Sequence, residues 1–180
     1  MRHPARWVAG GVGVIVALLA VVLAVNSGKD PRADASHSRL VGQPAPAFTL
    51  PTIDGKQVST ASLAGKTVVV NFWNTWCQPC QQELPTLLDY WSRHSNDPDL
   101  VMVGIVRDDT EGAVKAAVSA EHIGWTIAMD PGAKAALALA TRGQPETYVI
   151  GPDGVIAGSQ YGPLTVQSLD AMVTAARGRA

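Results

Sequence analysis

The chain has 180 residues, of which 47% are hydrophobic and 16% charged, and its formal net charge at neutral pH is -1. This length predicts one domain of ordinary size with a substantial core, once the N-terminus is set aside. A near-neutral chain with no basic stripe and no interleaved aromatic residues argues against a nucleic-acid-binding protein.

The N-terminus has the pattern of a membrane anchor followed by a linker. Residues 1–7 carry two arginines and a histidine, and residues 8–25 form an unbroken apolar and glycine run. As a helix this run is about 27 Å long, just enough for a hydrocarbon core of about 30 Å. The basic residues before it predict a cytoplasmic N-terminus and an extracytoplasmic remainder. We predict a retained single-pass anchor in the cell membrane, with cleavage and secretion as the alternative, then a flexible linker at 26–41 and a domain at 42–180.

The domain begins with signals for a β-hairpin. The dipeptide Asp54-Gly55 is a favoured two-residue turn, and the short segments Thr49-Leu50 and Gln57-Val58 lie on either side of it. One helical turn is predicted at 59–63.

The stretch from residue 68 to residue 80 is the most informative in the chain. It starts as a β-branched apolar run typical of a strand buried on both faces, and it ends in Cys77-Gln78-Pro79-Cys80, which leads into a helical pattern. The thiol pair is therefore predicted at a strand-to-helix junction. The helix has an apolar stripe and a polar side expected to face solvent; the stripe comprises Leu84, Leu87, Leu88 and Trp91, and the polar side comprises Gln81, Gln82, Glu83, Asp89 and Arg93.

Cys77 and Cys80 are the only two cysteines in the chain. A disulfide that spans two intervening residues closes a loop too short to add much stability. A role in redox chemistry is therefore predicted for the pair. Thiol–disulfide exchange needs an exposed thiolate that attacks and a second thiol that resolves the mixed disulfide. We predict an exposed Cys77 as the attacking group, because the N–H groups and dipole of a helix start favour its thiolate, and a more buried Cys80 as the resolving group.

Metal and haem chemistry fit the cysteine pair less well. A zinc site would need two further ligands, and the four histidines are widely scattered. Haem attachment requires a histidine after the second cysteine, where this chain has Gln81. We predict no metal and no cofactor. A copper metallochaperone is the alternative from another functional class, and the absence of nearby His or Met ligands counts against it.

The elements after the first helix alternate between strands and helices. A second buried strand after the helix implies a parallel pair with a right-handed crossover. Two later strands joined by a tight turn predict an antiparallel hairpin. In chain order these elements are a strand at 100–106, a helix capped by Thr110 and ending near Gly124, a strand at 125–129, an alanine-rich helix at 132–140, strands at 146–150 and 155–160, and a final helix capped by Thr165.

These motifs together resemble the thioredoxin superfamily, and most closely its membrane-tethered TlpA, ResA and CcmG (DsbE) branch. Three departures from ordinary thioredoxin support that branch: Asn71 replaces a buried Asp, Glu83 follows the second cysteine by three residues, and a loop at 143–147 has the sequence Gly-Gln-Pro-Glu-Thr. Pro85 matches the helix-kinking proline of the superfamily. The Ala-Pro-x-Phe-x-Leu segment resembles an extension shared with peroxiredoxins, whose peroxidatic cysteine lies in a different motif.

The resemblance covers residues 42–176 and implies a thioredoxin-like α/β fold. In that fold a central mixed β-sheet is flanked by helices, with an N-terminal β-hairpin extension. The unit at 110–129 corresponds to the inserted αβ unit typical of the TlpA-like group.

The resemblance also implies roles for individual residues. Pro145 is expected to form a cis peptide bond facing the cysteines, leaving the backbone of Gln144 free to pair with an extended substrate. Glu83 is expected to accept the proton of Cys80. The alternative is that Glu83 only interacts favourably with the helix dipole, as any carboxylate in an early helical turn does. Glu146 is either a second negative charge near the thiols or a solvated strand end. The residues expected to contact substrate are Trp76, Gln78, Pro79, Gln144, Glu146 and Thr147.

The function implied is that of an extracytoplasmic thiol:disulfide oxidoreductase. By resemblance its substrate is the disulfide of apocytochrome c, its electrons come from a membrane thiol-transfer protein, and it acts as a monomer. Carboxylates beside the thiols disfavour the thiolate, which favours a reductant. The alternative within redox chemistry is an oxidant that forms disulfides in secreted proteins.

Overall fold

A computed structural model describes residues 16–22 and 38–179. The chain divides into two units, residues 1–35 and residues 36–180. In the first unit, residues 16–22 are helical and exposed. The remainder of the predicted anchor and most of the predicted linker lie outside the described residues. Within the described ranges, no helix has both the length and the apolar character needed to cross a membrane.

The second unit is built on a five-stranded mixed sheet with the order β5-β4-β3-β6-β7. The central strand β3 runs parallel to β4 and antiparallel to β6, and β6 and β7 form the predicted antiparallel hairpin. A separate two-stranded antiparallel hairpin, β1 and β2, precedes the sheet. The strands are β1 Thr49–Pro51, β2 Gln57–Ser59, β3 Thr67–Trp73, β4 Leu100–Val106, β5 Thr126–Met129, β6 Glu146–Ile150 and β7 Ile156–Tyr161.

Four helices and one 3-10 turn, Ala61–Leu63, complete this unit. The helices are α1 Gln78–His94, α2 Glu111–Ala120, α3 Lys134–Ala138 and α4 Val166–Arg177. The alanine-rich helix is shorter than predicted, because residues with positive φ at 133 and 140 limit it on both sides. Helix α2 ends before the predicted position, since His122 also has a positive φ, of 54°.

The core occupies both faces of the sheet. Successive residues of β3 alternate between the two apolar clusters, so this strand is buried on both faces as its β-branched sequence predicts. Helices α1 and α4 cover one face through Leu87 and Leu169, and the N-terminal hairpin and α3 cover the other. The thioredoxin-like α/β architecture and the hairpin extension are thereby confirmed.

The folded unit begins earlier than the predicted boundary at residue 42. The backbone N–H of Gly42 donates to Ile156 of β7, and the N–H of Ser38 donates to the hydroxyl of Ser159 at 2.6 Å. On the opposite edge, the N–H of Ile53 donates to Ile127 of β5. These contacts cover parts of both outer strands, which would otherwise offer unpaired backbone groups to another chain.

The inner face of α1 differs from the predicted apolar stripe. Its buried residues are Cys80, Glu83, Leu87 and Tyr90. The prediction that Glu83 faces solvent is therefore wrong. These four residues have helical spacing. The prediction considered only apolar side chains and so left out the carboxylate, and the predicted stripe therefore lies to one side of the buried face, on residues that are half-buried.

Candidate active site

The two cysteines form a disulfide at the start of α1. Cys77 is the N-cap residue, and its sulfur accepts a hydrogen bond from the backbone N–H of Cys80 at 3.2 Å. The predicted position at the helix N-terminus is confirmed. The predicted difference in exposure is wrong, because Cys77 is 4% and Cys80 5% exposed. In the oxidised pair the sulfur of Cys77 is turned toward the helix start rather than to solvent.

The surface beside Cys77 carries several of the residues expected to contact substrate. Trp76 is 61% exposed, and its indole N–H donates to the carbonyl of Asp108 at 3.1 Å, which fixes the ring. Gln78 is exposed and Pro79 half-buried. An exposed aromatic side chain in a fixed orientation is well suited to contact a partner polypeptide at low entropic cost.

The peptide bond between Gln144 and Pro145 is cis, as the resemblance implies. The Gln144 side chain donates to the Oδ1 of Asn74 at 3.0 Å, which ties this loop to the loop that precedes the cysteines. Within residues 38–179, the backbone of Gln144 makes no hydrogen bond to another backbone group. Pairing of this backbone with an extended substrate segment stays a prediction.

A second loop, after β4, supports the segment before Cys77 and was missed in the sequence-based prediction. Asp109 accepts hydrogen bonds from both the backbone N–H and the hydroxyl of Thr75, each at 2.8 Å. Asn74 donates to the carbonyl of Arg107. A signal for this contact was present, because the carboxyl ends of parallel neighbours such as β3 and β4 meet at one edge of the sheet.

We expect Asp109→Ala to destabilise the protein by about 2 kcal/mol, since the two hydrogen bonds from Thr75 and a third from the backbone N–H of Thr110 are lost. The rate of thiol–disulfide exchange should fall as well, because the loop before Cys77 loses its support. Urea unfolding and an exchange assay measure the two effects. Glu111→Ala removes a carboxylate from an exposed ion pair with Lys115 and should change stability by no more than about 0.5 kcal/mol. Equal effects of the two substitutions would contradict the supporting role of Asp109.

Glu83 lies behind the disulfide as a buried carboxylate, with 1% exposure. Its Oε1 accepts from the Nδ2 of Asn71 at 2.7 Å, and its Oε2 accepts from the backbone N–H of Leu164 at 2.8 Å. Burial raises the pKa of Glu83 from 4.5 to about 7, although the hydrogen bonds from Leu164 and Asn71 act in the opposite direction. Cys80 is one helical turn away, so the two side chains start about 5–6 Å apart at Cβ. A carboxyl group that titrates near neutral pH can accept a proton in this position.

Glu146 and Thr147, two residues expected to contact substrate, are both fully buried on β6. The Glu146 carboxylate pairs with the Arg142 guanidinium at 3.1 Å and accepts from the Arg142 backbone N–H at 2.7 Å. The interpretation of Glu146 as a solvated strand end is wrong, and its charge is compensated. Thr147 accepts a hydrogen bond from Asn71 at 2.9 Å. Both side chains point inward, so a substrate contact through them does not fit this arrangement.

We expect Arg142→Ala to destabilise the protein by about 3 kcal/mol, because it leaves the buried carboxylate of Glu146 without its cation. The double variant Arg142→Ala/Glu146→Gln removes that charge and should regain more than half of the loss. Guanidinium unfolding of the single and double variants measures both values. A double variant as unstable as the single one would show that the charge of Glu146 is not the cause.

Cys80 lines a cavity of ≈ 240 Å³. Asn71 also lines it, and apolar side chains of α1 and of the inserted unit form its walls, among them Leu88 and Trp125. Cys77 is not part of the lining, so the cavity approaches the pair from the side of Cys80. Among residues 16–22 and 38–179, no group of three or more His, Cys, Asp or Glu side chains is arranged to hold a metal ion.

The cysteine pair, the cis proline and the N-terminal extension all fall within one family match. The model of the AhpC/TSA family matches residues 41–159. The chain belongs to the AhpC/TSA family. That match includes the extension whose sequence resembles that of peroxiredoxins, as well as Cys77-x-x-Cys80 and Pro145.

Relatives of this AhpC/TSA-family protein include thiol:disulfide oxidoreductases. Thiol-disulfide oxidoreductase ResA of a Bacillus cereus strain is 29% identical over 130 residues, which are 72% of this chain and 75% of the relative. Thiol:disulfide interchange protein DsbE of Pseudomonas fluorescens biotype C is 35% identical over 127 residues, 69% of this chain and 68% of the relative.

Solved structures agree with this assignment. A thiol:disulfide interchange protein of the thioredoxin family from Chlorobium tepidum TLS matches with a TM-score of 0.67 and 30% identity, covering 77% of this chain and 97% of that one. The resemblance to the ResA and DsbE group is confirmed. This AhpC/TSA-family protein is a thioredoxin-like thiol:disulfide oxidoreductase.

Proposed function

We propose that this AhpC/TSA-family oxidoreductase reduces protein disulfides outside the cytoplasm, and that its substrate is the disulfide of apocytochrome c during cytochrome c maturation. The observation that carries the proposal is the disulfide at the start of α1 with the buried Glu83 carboxyl group one turn behind Cys80. The choice of apocytochrome c rests on the resemblance to the ResA and CcmG (DsbE) branch.

The reaction proceeds through two exchanges at sulfur. The Cys77 thiolate attacks one sulfur of the substrate disulfide, so that the substrate bond breaks, a mixed disulfide forms and one substrate cysteine leaves as a thiolate. Glu83 takes the proton of Cys80, whose thiolate then attacks the sulfur of Cys77. The second substrate cysteine is released, two electrons have passed to the substrate, and the enzyme is left with the Cys77–Cys80 disulfide that the structure contains.

The proposed direction of electron flow rests on limited stabilisation of a thiolate, because burial of the pair opposes the favourable helix N-terminus at Cys77. The charge of Glu146 is compensated by Arg142, so it does not supply the second negative charge expected from the sequence. Burial of Cys77 and Cys80 to 5% exposure or less, however, limits solvation of either thiolate. When the reduced form gains little stabilisation, the reduction potential of the cysteine couple is more negative, and the couple donates electrons.

The proposal includes a place in the cell and a source of electrons. The apolar run at 8–25 is the proposed anchor, with the catalytic unit on the extracytoplasmic side as a monomer. A protein that is oxidised in each cycle needs a reductant there, and a membrane thiol-transfer protein is the proposed donor.

The test is reduction of an oxidised Cys-x-x-Cys-His peptide by the reduced full chain. We expect faster reduction of this peptide than of a matched peptide in which alanine replaces the histidine. Oxidation of the reduced peptide by the disulfide form, with no reaction in the proposed direction, would instead support the alternative of an oxidant for secreted proteins. Equal rates with both peptides would contradict apocytochrome c as the preferred substrate.

A further inference from the structure

The environment of Glu83 includes a polar pair that the mechanism above does not use. Asn71 of β3 and Thr147 of β6 lie directly opposite each other on neighbouring antiparallel strands, so their side chains share one face of the sheet. One amide nitrogen, Nδ2 of Asn71, contacts both the Glu83 carboxylate at 2.7 Å and the Thr147 hydroxyl at 2.9 Å. The exposures of Asn71, Glu83 and Thr147 are 3%, 1% and 0%.

This arrangement suits an ionised Glu83. A carboxylate only accepts hydrogen bonds, and it receives one from Asn71 and one from the N–H of Leu164. The second N–H of the Asn71 amide donates to Thr147. All three of these N–H groups are therefore paired at a place where bulk water is excluded, and an unpaired buried N–H would be costly.

The same three side chains also suit a protonated Glu83 after two rotations. A carboxylic acid carries a hydrogen-bond donor, which the amide oxygen of Asn71 can accept once the amide rotates by half a turn. The amide nitrogen then takes the former place of the oxygen, and because Asn71 lines the cavity, a solvent molecule there can accept from it. The Thr147 hydroxyl then reverses and donates to that same oxygen, because a hydroxyl can both donate and accept. Valine at 147 could not pair with the amide in either orientation.

We propose that Asn71 and Thr147 are positioning residues whose amide and hydroxyl groups rotate together, so that Glu83 can gain and lose a proton without any backbone movement. Their action is through Glu83 and not on the reacting sulfurs. The inference rests on the proposed function in so far as Glu83 must change its protonation state in each cycle. It assigns Thr147 an internal role in place of the substrate contact expected from the sequence.

The groups that face Glu83 come from four parts of the fold. They are Asn71 from β3, Thr147 from β6, the N–H of Leu164 from the loop before α4, and Cys80 from α1 itself. Of these groups only Cys80 titrates, and in the disulfide form it does not. A titration of the oxidised full chain therefore isolates Glu83.

The experiment follows the carboxyl carbon of Glu83 by carbon-13 NMR during a pH titration of the oxidised full chain, with Glu83→Gln identifying the resonance. Thr147→Val should raise the proton affinity of Glu83 about tenfold, because the ionised form then leaves an Asn71 N–H unpaired, whereas in the protonated form the amide oxygen keeps its bond from Glu83. Thr147→Ser keeps a hydroxyl and should stay within about twofold of the native chain. If Thr147→Val does not fold, Thr147→Ala tests the same loss.

The outcomes separate this inference from the proposed function. An unchanged midpoint in Thr147→Val, or equal shifts in the Val and Ser variants, would overturn the positioning role. If the Glu83 midpoint shifts as expected in Thr147→Val but Glu83→Gln exchanges disulfides at the native rate, the positioning role of Asn71 and Thr147 stands. Glu83 would then have no part in the proposed mechanism.

Discussion

Replacing Cys80 by serine is expected to convert the enzyme into a trap that attacks a disulfide once and does not release it. Cys77 keeps its place at the start of α1 and forms the mixed disulfide, but the serine hydroxyl cannot attack the Cys77 sulfur to resolve it. Turnover with an oxidised peptide should fall to the uncatalysed background, while a one-to-one covalent complex accumulates. Mass spectrometry under non-reducing conditions measures that complex.

The matched variant Cys77→Ser decides which sulfur attacks. Since both cysteines are equally buried and the cavity adjoins Cys80, exposure alone does not assign the roles. The helix N-cap position assigns the attack to Cys77, so Cys77→Ser should capture no peptide. Capture by Cys77→Ser at the level of Cys80→Ser would reverse the roles given to the two cysteines.

Replacing Glu83 by glutamine is expected to remove a large pH dependence of stability. The pKa of Glu83 is 4.5 in its ordinary state and about 7 in the folded chain, because the carboxyl group is buried. Between these values the folded chain holds a proton that the unfolded chain releases, so stability is fully present below the lower value and is lost as pH rises through the upper one. The loss is about 3 kcal/mol.

Glutamine has no such proton, and its amide resembles the protonated acid in shape. The stability of Glu83→Gln relative to the native chain should therefore improve by about 3 kcal/mol from about pH 4 to about pH 8. Urea unfolding at both pH values measures the difference, and the other titrating groups cancel because both chains contain them. A difference that stays constant with pH would contradict a buried carboxyl group that titrates near neutrality.

The same variant tests the proton transfer. With Cys77 held in a mixed disulfide with a chromogenic aromatic thiol, release of that thiol reports the attack by Cys80 alone. We expect Glu83→Gln to slow the release by about 10²-fold above pH 7, the range in which a general base is ionised and effective. The surface variant Glu111→Gln should release the thiol at the native rate.

Local patterns were sufficient to predict the frame of the fold. The β-branched run of β3 and the helical spacing after Cys80 depend on residues close in sequence, so the strand-to-helix junction and the N-cap position of Cys77 followed from them. The hairpin and the cap at Thr165 are also local, and both are present. The hairpin turn lies one residue earlier than Asp54-Gly55, because the N–H of Gly55 donates to Thr52. The family resemblance added the cis peptide bond before Pro145, which is present. The proton-acceptor role that it implies for Glu83 stays a prediction.

The environment of the site depends on contacts between distant residues, which a single sequence does not contain. Asp109 and Thr75 are 34 residues apart, and Leu164 and Glu83 are 81 apart. Whether a carboxylate is solvated or buried is decided by the opposing strand or loop, so Glu83 was placed on the wrong face. For Glu146 the deciding contact is nearby, with Arg142, but it lies in a loop without a periodic pattern.

Electron donation by the Cys77–Cys80 couple is measured by its reduction potential. The full chain is equilibrated with glutathione or dithiothreitol buffers, and the fraction of disulfide is measured after acid quenching. We expect a potential more negative than roughly -230 mV, below the glutaredoxin range of about -200 to -230 mV. A potential near about -120 mV, that of a strong oxidant, would contradict the reductant and point to disulfide formation in exported proteins.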